Sequence, residues 1–140
     1  MNYLFYYIFI VILLISLGGN VNSVTKSLTL PSFYPPTYLF GLVWTILFIL
    51  FGIFIYNAPD SLQLIGIFYF TLVLLWTPLF VYTKSTAIGF YYLLFIVLCT
   101  IGLFYMSLHN YSYSYSWLLI PLFIWTSFAT IISYSLYRLN

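Results

Sequence analysis

Lys26, Asp60, Lys84 and Arg138 are the four residues of this 140-residue chain with a fixed charge, and each lies in a break between long apolar runs. That placement constrains the fold more than any single motif. A water-facing surface needs roughly 25% charged residues; here 3% are charged and 65% are hydrophobic. The expectation is an integral membrane protein, whose lipid-facing surface needs no charge. A spanning helix takes about 20 residues, so five take about 100 and leave about 40 for ends and loops. The runs are long and continuous, unlike the short alternating segments of a β-barrel. The sequence therefore predicts an all-α integral membrane protein, a bundle of five transmembrane helices forming one domain over residues 1–140. The spans fall near 3–24, 36–56, 62–82, 86–108 and 117–137.

Local punctuation sets those limits. The first span is strongly apolar from Tyr3 to Leu17 and is extended through weakly polar Gly18 to Val24. It has neither a basic leading region nor a small-residue cleavage site, so a retained helix is expected rather than a secretory signal. Polar residues from Gly19 to Ser27 begin the longest loop. Pro36 suits a helix's first turn, because its fixed φ fits and its missing amide costs nothing there. Pro59 prevents the second span from continuing. Inside the third span, Pro78 takes away the amide partner of the Leu74 carbonyl and predicts a kink. A freed carbonyl in hydrocarbon must meet protein or a cavity, so Pro78 points towards a cavity as well as a structural bend. In the fourth span Gly89, Cys99 and Gly102 are small enough for close helix contact. The Tyr111–Ser116 alternation reads as an interfacial loop.

Charge also bears on orientation and chemistry. Five spans place Lys26, Lys84 and Arg138 on one side, with Asp60 and His109 on the other. The positive-inside rule then puts the N-terminus on the non-cytosolic side and the C-terminus in the cytosol. The single acid lies about fifty positions from the single His, and one Cys has no partner. Acid–base, metal and triad catalysis are thereby excluded. No basic patch suggests nucleic acid, and no ionisable residue inside a span suggests a proton relay. An aromatic, uncharged interior remains, suited to a flat apolar molecule held between helices. Gly41, Trp44, Thr45, Phe48 and Gly52 share one face of the second span. Trp125, Phe128, Ala129 and Ile132 share one side of the fifth. Such stripes serve helix packing as readily as a ligand site.

Three motifs in register cover about Leu28 to Arg138. The first is Leu30-Pro31-Ser32-Phe33-Tyr34-Pro35-Pro36 followed by Phe40-Gly41-Leu42-Val43-Trp44. The second is Trp76-Thr77-Pro78-Leu79-Phe80. The third runs from Trp117-Leu118-Leu119-Ile120-Pro121 through Trp125 to Phe128-Ala129-Thr130. Together they resemble the translocator protein family, also called tryptophan-rich sensory proteins or peripheral benzodiazepine receptors. The resemblance implies a ligand pocket formed by Trp44, Trp125, Ala129, Pro78, Phe40, Phe48 and Phe128, roofed by the Lys26–Tyr34 loop. It implies porphyrins such as protoporphyrin IX as ligands, sterols as further ones, and no required cofactor. It also implies homodimerisation, with a bacterial inner or mitochondrial outer membrane both compatible.

Transport, sensing and light-dependent porphyrin breakdown at Trp44 and Trp125 are the activities that the resemblance implies. Tyr134 and Arg138 match a sterol motif in which Ile132 stands for the leading Leu, so weak sterol binding at most is expected. Several positions depart from the family pattern: Leu30 for Lys, Phe33 for Trp, Val24 and Thr25 for a Trp-Tyr pair, Val73 for Asn, and Tyr92 for Asp. They carry the competing reading, a structural membrane protein without a working pocket. An aqueous channel is a third class, marked by solute flux that needs no ligand.

Overall fold

A computed structural model of the chain describes residues 3–19 and 21–140, with backbone alone at Asn22 and Thr37. The expected non-cytosolic N-terminal end at Met1 and Asn2, and Asn20 of the first polar stretch, lie outside the described residues. The described residues form helices α1 (Leu4–Leu17), α2 (Val21–Thr25), α3 (Thr37–Asn57), α4 (Asp60–Leu74), α5 (Trp76–Thr83), α6 (Thr86–His109) and α7 (Leu119–Leu139), with a 3-10 turn at Ser116–Leu118. No strand occurs among them, and Tyr111–Tyr115 is a loop.

The first helix is shorter than the sequence suggests. It stops at Leu17, where the Gly18 amide bonds back to the Ile15 carbonyl at 3.4 Å. Gly19 then takes φ +77°, a left-handed conformation that ends a helix and that side chains rarely adopt. The extension to Val24 is thus corrected: Val21–Thr25 is a separate turn of helix beyond the break. The second helix starts at Thr37 rather than Pro36. Pro36 has the expected φ of −59°, but its ψ of 149° leaves it in the extended strand of chain before the helix.

Four helical stretches are long and apolar enough to cross a bilayer: Tyr38–Asn57, Asp60–Thr83, Thr86–His109 and Ser116–Leu139. With its 14 residues, α1 rises about 21 Å against a hydrocarbon core of about 30 Å. It nevertheless lies along the α4–α5 stretch, pointing the same way. At one end the Tyr3 amide donates to Gln63 Oε1 at 3.0 Å, and at the other the Tyr82 hydroxyl donates to the Leu17 carbonyl at 3.3 Å.

The α4–α5 stretch is interrupted at Leu75, where Pro78 withholds the amide that the Leu74 carbonyl would accept. The third span is therefore broken where its proline predicts. The phenol of Tyr92, at the position where the family pattern has Asp, donates to the nearby Leu72 carbonyl.

Side-chain bonds show which loops share an end of the bundle. Ser61 and Tyr111 hydroxyls meet at 2.9 Å at one end. At the other, Asn140 clasps Thr29: its Oδ1 accepts from the Thr29 amide at 3.0 Å, and its Nδ2 donates to the Thr29 carbonyl at 3.1 Å. Lys26 and Arg138 thus lie at one end and Asp60 and His109 at the other, as the alternation of spans requires.

The two halves of the bundle pack differently. Near Asp60 the core is dense, with Phe51 stacked on Phe70 at 4.7 Å and on Phe54 at 5.2 Å. Gln63 is buried there and donates to the Ile55 carbonyl at 2.7 Å, which satisfies a polar group that would otherwise be costly. Towards the Lys26 end the helices separate around a cavity. The outer surface is apolar, with Phe5, Phe68, Leu98 and Ile124 all exposed, as expected for side chains that face lipid. The chain is an integral membrane protein.

The small residues serve different purposes. Gly89 is a true close approach, because a Cβ there would sit 2.9 Å from the Phe80 ring. Gly102 has open space beside it, which corrects the expectation that it would seat a neighbouring helix.

Candidate functional site

The inner cavity holds about 510 Å³, within the range of about 300–1,000 Å³ usual for small-molecule pockets. Its walls draw on all seven helices, with Val73 and Leu74 of α4 among them. Leu14 and Ile15 of α1, with Gly18 and Gly19 just after it, line the space together with Phe40, Gly41, Trp44, Thr45 and Phe48 of α3. Trp76, Thr77 and Phe80 of α5 form a third wall, and Trp125, Thr126, Ala129, Ile132, Ser133 and Leu136 of α7 a fourth. Leu93 of α6 contributes between them. Val21, Thr25 and Tyr34 reach it from the connection between α1 and α3.

Rings dominate this lining. Trp76 and Phe80 stack at 5.1 Å with planes 7° apart, and the Trp76 indole donates to the Gly89 carbonyl at 3.1 Å. The hydrogen bond fixes the Trp76 plane, and Gly89 is what lets α6 come close enough to provide it. On α3, Trp44 and Phe48 lie 5.8 Å apart. Phe40 meets Trp125 edge to face at 5.7 Å and Tyr34 at 5.6 Å, continuing the aromatic wall into the loop. Trp125 is 9% exposed, and its indole N–H has no hydrogen-bond partner among the described residues.

No Asp, Glu, Lys, Arg or His lines the cavity among the described residues. Tyr34 is the titratable group that reaches it from a loop. Burial pushes its phenol up, and the neighbouring Thr25 hydroxyl pulls back part of the way, so it stays neutral across the physiological range. Such a cavity can enclose, orient and stack a planar molecule, but it holds no acid, base or metal-binding cluster.

A second, wholly apolar groove of about 400 Å³ opens between α3 and α7, lined by Val43, Ile46, Leu47, Pro121, Ile124, Trp125 and Phe128. The Trp125 side chain contributes to both spaces.

The model of the TspO/MBR family matches residues 5–138, nearly the whole chain. The chain belongs to the TspO/MBR family. It is 32% identical over 117 residues to the tryptophan-rich protein TspO of Bacillus cereus, covering 79% of this chain and 76% of that one. It is also 32% identical over 118 residues to the tryptophan-rich protein TspO of Archaeoglobus fulgidus, covering 79% and 75%.

Of the positions that the TspO/MBR resemblance singles out, Trp44, Trp125, Ala129, Phe40 and Phe48 all line the inner cavity. Pro78 does not, although Trp76, Thr77 and Phe80 around it do. Phe128 lines the outer groove instead. Tyr134 is 44% exposed on the outside of α7 and packs on Phe90 at 5.2 Å, while Arg138 is exposed beyond it. Neither touches the cavity. Of the Lys26–Tyr34 roof, Tyr34 reaches the space and Lys26 is exposed. Sequence reasoning passed over Trp76, Phe80 and Ser133. The first two stand four apart inside the Trp76–Phe80 motif, which was signal enough.

Proposed function

We propose that this TspO/MBR protein crosses the bilayer five times and binds a flat hydrophobic ligand inside the bundle. Porphyrins of the protoporphyrin IX type come first, and sterol-like molecules second. The observation that carries this reading is the uncharged cavity of about 510 Å³ with Trp44, Trp76 and Trp125 on three different helices. Aromatic walls on several sides suit a planar ring, and each aromatic pair contributes about 0.5–1.5 kcal/mol beyond burial. The five-span reading is supported by α1, which reaches from Gln63 to Tyr82 along a neighbour long enough to span. Lys26, Lys84 and Arg138 then face the cytosol.

Titration calorimetry on the purified protein in nanodiscs, with protoporphyrin IX and its dimethyl ester, tests the reading. Saturable binding of at least one ring is expected, and Ala129→Phe should abolish it by filling the cavity. Absence of saturable binding, or equal binding to Ala129→Phe, would refute the pocket and leave a structural protein.

A further inference from the structure

The hydroxyls on the cavity wall are unevenly employed. Thr45 and Thr126 turn theirs back onto helix carbonyls, to Gly41 at 2.8 Å and Leu122 at 2.9 Å. Ser133 does not. Its side chain is 3% exposed, lines the cavity, and makes no hydrogen bond among the described residues. Thr77 lies across the space on α5. Its methyl faces Gly18, and its hydroxyl is likewise unbonded.

A wall hydroxyl that no protein group engages is free to hydrogen-bond a molecule in the cavity, and a ligand without a matching atom forgoes that bond. Charge is a different matter. Lys26, Lys84 and Arg138 are exposed, and none lines the cavity. A carboxylate brought inside would lose its water and gain no cation, a far larger penalty than a hydroxyl or carbonyl suffers.

Resting on the reading of a flat hydrophobic ligand, we propose that the cavity selects uncharged ring molecules. It holds an oxygen or nitrogen of the ligand through the Ser133 hydroxyl, with Thr77 as a second contact. A porphyrin is accordingly taken with its carboxyl groups masked in preference to its dicarboxylate.

Two matched pairs test this on the full chain in nanodiscs, with empty nanodiscs subtracted for partitioning. One is protoporphyrin IX dimethyl ester against protoporphyrin IX; the other is 1-pyrenemethanol against 1-pyrenecarboxylate. Quenching of Trp fluorescence and titration calorimetry report binding near neutral pH. The neutral member of each pair should bind about ten-fold more tightly or better. Ser133→Ala should weaken 1-pyrenemethanol about 3- to 10-fold without lowering the melting temperature. If the acids bind as tightly as the neutral partners, the selectivity is refuted while ligand binding itself stands. Neutral preference unaltered by Ser133→Ala overturns the role of that hydroxyl. If the pyrene pair alone binds with neutral preference, the inference holds and the porphyrin reading falls. If neither pair binds, both fall together.

Discussion

At the scale of single residues, the cavity is decided by rotation about helix axes. A helix turns about 100° per residue, so Ala129 and Leu136 lie within about 40° of Trp125 while Phe128 lies about 60° to the other side. That angle sends Phe128 to the lipid-facing groove and Ser133 inward. Spacing alone grouped Phe128 with Trp125 because steps of three and four look alike until a neighbouring helix fixes which side is inside. The aromatic walls were legible for the same reason that they are robust: Trp44 and Phe48 stand four apart on one stripe. Trp44→Phe and Trp125→Phe should each weaken ring binding by about 0.5–1.5 kcal/mol with the melting temperature little changed, as titration beside a thermal melt would show. Gly89→Ala should be worse for the fold. Its Cβ would press on the Phe80 ring, so a loss of about 1–3 kcal/mol in the melt is expected, with weaker binding as the Trp76–Phe80 stack is displaced. A melt indistinguishable from wild type would show that the ring yields freely.

At the scale of elements, the break at Leu75 was foreseeable because proline chemistry is local: no context returns an amide to Pro78. The end of α1 was less so. Gly18 and Gly19 are compatible with a continuing membrane helix, and only the φ of +77° at Gly19 marks the stop. Beyond the break, Trp76, Thr77 and Phe80 line the space and Pro78 does not. Pro78→Ala restores a donor for the Leu74 carbonyl and should straighten this stretch. The expected result is a melting temperature equal to or above wild type, with severalfold weaker ring binding. A destabilised variant that binds normally would assign Pro78 a purely structural task.

At the scale of the molecule, the dense half and the hollow half divide the work. Stability resides near Phe51, Phe54 and Phe70, which frees the other half to keep a void. This division was not readable from composition, because both halves use the same aromatic residues. Orientation can be checked by thiol labelling on a Cys99→Ala background. Ser27→Cys should react from the cytosolic face, and Ser114→Cys and Asn2→Cys from the opposite face alone. An Asn2→Cys protein that labels together with Ser27→Cys would mean that α1 does not cross.

The clasp between Thr29 and Asn140 ties the segment carrying Thr25 and Tyr34 to the end of α7 by two hydrogen bonds at 3.0 and 3.1 Å. Neither clasp residue lines the cavity, so loosening the clasp should bear on how quickly a ligand passes this segment more than on how well it fits. Asn140→Ala should therefore raise association and dissociation rates together and leave Kd nearly constant, a pattern that stopped-flow fluorescence resolves. On that outcome, residence time would be set from outside the pocket, by one amide side chain on the Thr29 backbone.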